Sequence, residues 1–253
     1  MTASVPAQPP ARFAPYHPWD RTFYLAFVLA CWLGAIMGFA DPVIARFTGK
    51  ADYDASLILQ VHAFAYPGWL VLLTLQVLLI RTKRAQFHRL LGLSALVLIP
   101  VMAVSGVWSE ILSQRFYGPN DPLTQAFFII PLFYTAAFVL LAGAALLLRA
   151  DPSAHKRLIF LATITIVGAA YTRWWGEALM AAFGDGFFGM IINTFTPFWL
   201  FAALAVLYDW HTRRQVHRVF VIALPLTLAA HLAVSAVYHA EGWLPLSRAI
   251  SGI

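Results

Sequence analysis

Residues 57–80 read LILQVHAFAYPGWLVLLTLQVLLI, and the basic stretch RTKR follows at 81–84. The run contains no Asp, Glu, Lys or Arg, and His62 is its one imidazole. An α-helix that crosses a bilayer needs about 20 predominantly apolar residues, and this run supplies them in one piece. We therefore expect residues 57–80 to span a membrane, with the basic stretch at the membrane surface.

Apolar runs of similar length recur along the rest of the chain. They lie at 22–40, 90–108, 125–148, 158–175, 189–208 and 219–238. The whole sequence of 253 residues is 61% hydrophobic and 11% charged, whereas soluble chains are about 25% charged. This composition excludes the soluble classes and predicts an all-α polytopic membrane protein with seven transmembrane helices.

The charged residues divide between the two sides of the predicted bundle. The side that carries the N-terminus holds 12 of the 17 basic residues, and the other side holds 8 of the 11 acidic residues. Because Lys and Arg collect on the cytoplasmic side, the N-terminus is predicted to be cytoplasmic and the C-terminus outside. The net charge of +6 is spread over several turns, which argues against a nucleic-acid partner and favours contact with anionic phospholipids of the bilayer.

The first 21 residues differ from the rest in composition. They contain five prolines and few apolar side chains, a pattern typical of a flexible segment. The sequence therefore predicts a flexible Pro-rich cytoplasmic tail at 1–21 and a single seven-helix transmembrane domain at 22–253.

The turns on the predicted cytoplasmic side share a motif of His followed by a cation. The three copies are His88-Arg89, His155-Lys156-Arg157 and His217-Arg218. Twenty-two residues beyond these histidines lie Glu110, Glu177 and His239, which is about 33 Å further along a helix, or one hydrocarbon core. The spacing predicts one unpaired helix followed by three repeated helical hairpins.

Two strings carry a resemblance to known proteins. FHRLLG at 87–92 and AHKRL at 154–158, with His62 and Gln76 before the first and Thr172-Arg173 after the second, resemble an uncharacterised bacterial family of polytopic membrane proteins. In outline that family is similar to cytochrome b561-type helical bundles. The resemblance covers roughly residues 57–175 and implies a bacterial inner-membrane protein; it implies no catalytic residue.

The histidines suggest a b-type haem protein, in which two neutral imidazoles from facing helices hold the iron. His217 and His231 are 14 residues apart, nearly on one face of a helix and about 21 Å apart along it, as in a protein with two stacked haems. His62 would pair with His231 at the outer level, and His217 with His88 or His155 at the inner level. The function predicted from these residues is electron transfer with haem b or a quinone.

Other functions remain open at this point. Glu110, Glu177 and His239 could hold a divalent metal together with His62, since mixed imidazole and carboxylate ligands suit Zn or Fe. Prolines within the even-numbered spans could open a cavity for a small-solute transporter. A non-catalytic subunit or assembly factor of a larger membrane complex would need only the shape of the bundle. The chain has no GxSxG, no Gly-rich phosphate loop and no CxxC, and the sequence leaves open whether it is an enzyme.

Overall fold

Ten α-helices make up most of residues 13–253, the part of the chain that the computed structural model describes, and that part contains no β-strand. The helices are α1 (Asp20–Phe47), α2 (Leu57–Arg81), α3 (Ala85–Gly92), α4 (Ala95–Tyr117), α5 (Pro122–Phe127), α6 (Ile129–Leu147), α7 (Pro152–Phe183), α8 (Phe187–Arg213), α9 (Arg218–Tyr238) and α10 (Trp243–Ser251). A 3₁₀ turn, Gly118–Asn120, follows α4.

Seven helical segments of this part are long and apolar enough to cross a membrane. Five are single helices, and two are composite: Ala85–Asn120 contains α3 and α4, and Pro122–Leu147 contains α5 and α6. The prediction of an all-α chain with seven membrane-spanning helices is confirmed at this level. The orientation of the termini and the triplicated hairpin stay predictions.

Several helix starts are set by side chains that cap them. The carboxylate of Asp151 accepts hydrogen bonds from the backbone N–H groups of Ser153 and Ala154 at 2.9 and 3.0 Å, and Pro152 occupies the first position of α7. A capping acid followed by proline is a strong start signal, since proline lacks the N–H that would stay unpaired there. For this reason α7 begins at residue 152, earlier than the apolar run at 158–175 suggests.

The central helix of the bundle is α7. It packs against α1, α6, α8 and α9, and two thirds of the residues in its most apolar segment are buried. On α1, a Cβ added at Gly38 would lie 2.1 Å from the carbonyl oxygen of Ala170. Glycine is therefore required where α1 crosses α7 at backbone contact, as is common between membrane helices.

Because successive spans are joined by short turns and pack side by side, the bundle has two ends. We call the end formed by residues 13–19, 82–84, 148–151 and 214–217 the basic end, and the end formed by 48–56, 118–121, 184–186 and 239–253 the acidic end. The short helix α10, which the sequence analysis did not predict, lies at the acidic end. There the Trp243 indole donates to the Ala126 carbonyl at 3.0 Å, and Arg115 donates to the Ser251 carbonyl at 2.6 Å.

Part of the predicted flexible tail, residues 1–12, lies outside the described residues. The remainder, 13–21, packs against α7 and α8 at the basic end. The carbonyl oxygens of Ala14 and Pro15 accept hydrogen bonds from Arg213 and Lys156 at 2.9 and 2.7 Å, and Asp20 begins α1. This segment therefore joins α1 to α7 and α8.

Candidate functional site

A network of buried ions occupies the basic end. Arg157 on α7 makes a two-pronged contact with Asp209 on α8; its Nε donates at 2.8 Å and its Nη2 donates to the second carboxylate oxygen. Both side chains are 1% exposed. The remaining Arg157 nitrogen donates to the carbonyl and hydroxyl oxygens of Ser153, both at 2.9 Å. Planar pairing of this kind is the strongest form of carboxylate recognition by arginine.

Asp20 extends this network to the first helix. Its carboxylate accepts from Arg213 at 2.8 Å, from Lys156 at 2.7 Å and from the Tyr208 hydroxyl at 2.5 Å. We call Asp20, Lys156, Arg157, Asp209 and Arg213 the ion network. Each of these charges meets an opposite charge, so the ion network joins α1, α7 and α8 and leaves no obvious place for a ligand.

An aromatic side chain covers the ion network. The Phe13 ring centre lies 4.5 Å from the Arg157 guanidinium carbon and 5.3 Å from that of Arg213. The same ring meets the His217 imidazole edge to face at 4.7 Å. Cations over an aromatic face are stabilised by its quadrupole, more strongly when they are removed from water.

His217, one of the predicted haem ligands, caps α9. Its Nδ1 accepts the backbone N–H of Val219 at 3.2 Å, and the residue is 4% exposed. Burial, and then the positive charge of Arg157, lowers the pKa of His217 to about 4, so the ring is neutral at pH 7. A neutral ring that accepts at Nδ1 carries its proton on Nε2, which leaves neither nitrogen free for iron.

His231 on α9 has the same constraint. Its Nδ1 accepts from the Trp199 indole at 3.1 Å, and its face lies on Phe195 with the ring centres 3.6 Å apart. The rings of Phe133 and Phe198 complete the enclosure at 5.3 and 5.4 Å. Haem ligation by His231 would require the indole hydrogen bond and the stacking contact to be broken.

His62, the predicted outer partner of His231, lies in a different helix neighbourhood. It is on α2, which packs against α1, α3 and α4, whereas α9 packs against α6, α7 and α8. These contacts do not support an outer haem pair, and haem binding stays a prediction. At the inner level, the structure brings His88 and His155 together, with ring centres 6.4 Å apart.

A second group of polar residues converges in the half of the bundle nearest the acidic end. The Arg173 guanidinium on α7 interacts electrostatically with Glu110 on α4, Tyr134 on α6 and His62 on α2. The rings of His62 and Tyr66 lie 4.3 Å apart. We call His62, Tyr66, Glu110, Tyr134 and Arg173 the polar cluster. It gathers side chains from four of the spans.

Hydrogen bonding in the polar cluster is incomplete. Within residues 13–253, the buried Nδ1 of His62 and the nearby buried Oγ of Ser109 have no partner. The side chain of Arg173 is exposed and donates one hydrogen bond, to the Ala169 carbonyl at 3.2 Å, although a guanidinium has five N–H donors. Buried polar groups are normally paired, so unpaired ones mark a place where a ligand or water is expected.

The weaker prediction, a metal site from Glu110, Glu177 and His239, gains no support. Among residues 13–253, no three His, Cys, Asp or Glu side chains are grouped so as to hold a metal ion. The exposed His239 ring instead contacts the carbonyl oxygens of Ser235 at 2.8 Å and Asp185 at 3.1 Å. Glu110 accepts from Gln114 at 2.9 Å.

Sequence analysis missed the ion network. A signal was present, because Asp20, Asp151 and Asp209 are isolated acids among the basic segments of the predicted cytoplasmic side. In the structure each of the three pairs with a cation. An isolated Asp or Glu in a Lys- and Arg-rich segment beside a membrane span therefore predicts an ion pair with one of the neighbouring cations.

No protein-family model, no curated protein and no solved structure matches this chain. The resemblance to cytochrome b561-type bundles therefore stays a prediction.

Proposed function

We propose that this multi-pass membrane protein binds the headgroup of a lipid-soluble quinone at the polar cluster. The observation that carries the proposal is the Arg173 guanidinium, which lies in a long apolar helix within electrostatic range of His62 and Glu110 and donates a single hydrogen bond in residues 13–253. Ionisable side chains inside a membrane domain are expensive and usually mark a functional site.

The depth of the polar cluster suits a ligand that partitions into lipid. Arg173 lies roughly 8 Å along α7 from the middle of that helix, which is inside a hydrocarbon core about 30 Å thick. The exposed Phe39 ring on α1 lies over the guanidinium, with 4.8 Å between the ring centre and the guanidinium carbon. A headgroup at this depth can keep its isoprenoid tail among the apolar helix faces.

The charges of the polar cluster favour a quinone over an anionic solute. Arg173 and Glu110 carry opposite formal charges, so the cluster as a whole offers no excess positive charge to an anion. Quinone carbonyl oxygens can accept hydrogen bonds from the Arg173 nitrogens. In the reduced form, a quinol hydroxyl group can donate to the Glu110 carboxylate, and a second can donate to His62 Nδ1 once the side chains that bury this atom move aside.

The proposed function is tested by quinone binding to the purified full-length chain in lipid nanodiscs. A short-chain ubiquinone quenches tryptophan fluorescence, and Trp174 and Trp175 are next to Arg173 in sequence. Arg173→Gln removes a charged donor, which is worth about 1.5–3 kcal/mol, so the affinity should fall at least about tenfold. Arg149→Gln, an exposed arginine at the basic end, is the matched control and should bind as the wild type does.

Two results would contradict the proposal. An Arg173→Gln variant that binds the short-chain quinone with unchanged affinity would place the ligand elsewhere. Displacement of the quinone by a small dicarboxylate at similar concentration would instead favour the small-solute transporter.

We also propose the finer topology on the distribution of charge. The N-terminus lies in the cytoplasm of a bacterial cell, the chain crosses the inner membrane, and helices after the first form three hairpin repeats. Alkaline phosphatase fused to the C-terminus of the full chain should be active, since it folds only outside the cytoplasm. An inactive, stably expressed fusion would reverse the orientation.

A further inference from the structure

Two imidazoles meet near the basic end, outside both the ion network and the polar cluster. His88 lies on α3 and His155 in the first turn of α7. Their ring centres are 6.4 Å apart and their planes are perpendicular. Two helices that are distant in sequence therefore bring histidines close together at one level of the bundle.

The hydrogen bonds of each ring indicate which nitrogen has a lone pair. His155 Nδ1 lies 2.8 Å from the carbonyl oxygen of Ala145, which can only accept, so Nδ1 carries a proton, and Nε2 has no partner within residues 13–253. The buried Nδ1 of His88 has no partner in residues 13–253, so it can offer a lone pair when Nε2 carries the proton. The His155 ring is therefore fixed by a backbone carbonyl, and each ring has one nitrogen that can act as a metal ligand.

We propose that His88 and His155 bind a single copper(I) ion between them. In a linear site the ion lies about 2.0 Å from each nitrogen, and each nitrogen lies about 1.1 Å from the centre of its ring. The two ring centres are then roughly 6.2 Å apart. The observed 6.4 Å is close to this linear limit. The Ala145 carbonyl behind the His155 ring is also the usual surrounding of a metal-bound histidine.

The neighbouring charges favour copper(I) over a divalent ion. Zn(II) prefers four ligands in a tetrahedron, and residues 13–253 contain no group of three His, Cys, Asp or Glu that could hold a metal. Imidazole ligands bring no negative charge to the site, and Arg89 is next to His88 in sequence, so a single positive charge meets less repulsion than two. Copper(I) accepts linear coordination by two imidazoles, which is the arrangement that this pair offers.

The test is a metal competition on the purified full-length chain. Cu(I) is supplied anaerobically as its bicinchoninate complex, and the metal retained is counted by mass spectrometry. The wild type should retain about one copper per chain, and X-ray absorption should show scattering from two imidazoles. His88→Gln and His155→Gln should each weaken Cu(I) binding more than tenfold, whereas His211→Gln, an exposed histidine at the same end, should not.

A further variant distinguishes the loss of a copper ligand from misfolding of the chain. His88→Met replaces one imidazole by a thioether that binds Cu(I) but is a poor ligand for Zn(II), and it should recover copper binding relative to His88→Gln. Three results would overturn the proposal: no retained copper, retention unchanged in both glutamine variants, or equal retention of Zn(II) in the wild type. A Soret band lost in His88→Gln would assign the two rings to haem in place of copper. None of these outcomes depends on quinone binding at Arg173.

Discussion

The ion network and the polar cluster both place charged side chains inside a membrane bundle, but they differ in how those charges are matched. In the ion network, Arg157 and Asp209 pair through two hydrogen bonds and are 1% exposed. In the polar cluster, the Arg173 guanidinium is exposed and His62 Nδ1 has no partner in residues 13–253. A cation of the same type is therefore saturated at one site and available at the other.

This difference separates a structural role from a binding role. The paired charges of the ion network hold α1, α7 and α8 in one arrangement, and they have no remaining capacity for a ligand. Donors and acceptors that lie close together without pairing can still bind a ligand. The free energy lost when these groups leave water is regained only when a ligand forms hydrogen bonds with them. Changes in the ion network should therefore act on stability, and changes in the polar cluster mainly on ligand affinity.

The largest effect is expected from Asp209→Asn. It leaves the buried Arg157 charge without its counter-ion, which should cost about 3–5 kcal/mol of unfolding free energy. Unfolding by SDS in mixed micelles, followed by far-UV circular dichroism, measures the change. The matched control is Asp151→Asn, because its partner Arg218 is 3.3 Å away with side chains 39% and 71% exposed and asparagine still caps α7. This control should lose about 1 kcal/mol or less, and equal losses in both variants would show that burial of the ion pair does not matter.

The next effect is a pH dependence at the edge of the ion network. The pKa of His217 is lowered from 6.5 to about 4, so between these values the unfolded chain binds more protons than the folded one. The stability contributed by neutral His217 is complete above about pH 6.5 and is lost as the pH falls to about 4, by up to about 3 kcal/mol. His217→Asn keeps a capping side chain and should flatten this part of the pH profile. Identical wild-type and variant slopes would assign the acid sensitivity to other groups.

Sequence reasoning located the spans but not the rotation of the helices about their axes. The lengths of the apolar runs predicted seven membrane crossings, because each crossing requires about 20 predominantly apolar residues in a row. The histidines were paired by depth alone, yet His231 accepts from Trp199 on the neighbouring helix. Which face of α9 meets α8 depends on packing between side chains distant in sequence, and one sequence does not reveal it.

The candidate sites were predictable to different degrees. His62 was predicted as a ligand within an apolar run, whereas Arg173 entered only through the string that carries the resemblance; the structure brings His62 into electrostatic range of the Arg173 charge. His88 and His155 were considered as alternatives for one partner, His217, and the structure pairs them with each other instead. The sequence spacing correctly predicted that His88 and His155 lie at the same depth in the bundle. Which rings face each other depends on the rotation of each helix about its own axis, which the spacing does not determine.

A smaller effect sharpens the comparison at the polar cluster. A Cβ added at Gly106 would lie 2.4 Å from the Tyr66 hydroxyl and 3.3 Å from Thr135 Oγ1, so Gly106→Ala displaces the ring that lies against His62. Overpacking of this kind costs about 1–3 kcal/mol, and quinone affinity in the fluorescence titration should fall as well. Gly143→Ala is the control, since nothing lies within 4 Å of its added Cβ. If Gly106→Ala bound the quinone as tightly as Gly143→Ala, the Tyr66 side of the cluster would have no part in binding.

The smallest effect is expected where the N-terminal segment covers the ion network. Phe13→Ala removes the ring that lies 4.5 Å from the Arg157 guanidinium carbon and 5.3 Å from that of Arg213, and it should lower the unfolding free energy by about 1 kcal/mol. Phe13→Leu keeps most of the apolar volume without the aromatic quadrupole, so the SDS unfolding curves of the two variants separate the cation contact from burial. A leucine variant as stable as the wild type would show that Phe13 acts only by excluding water. Because the Arg157–Asp209 pair is complete without the ring, neither substitution should alter quinone affinity at the polar cluster.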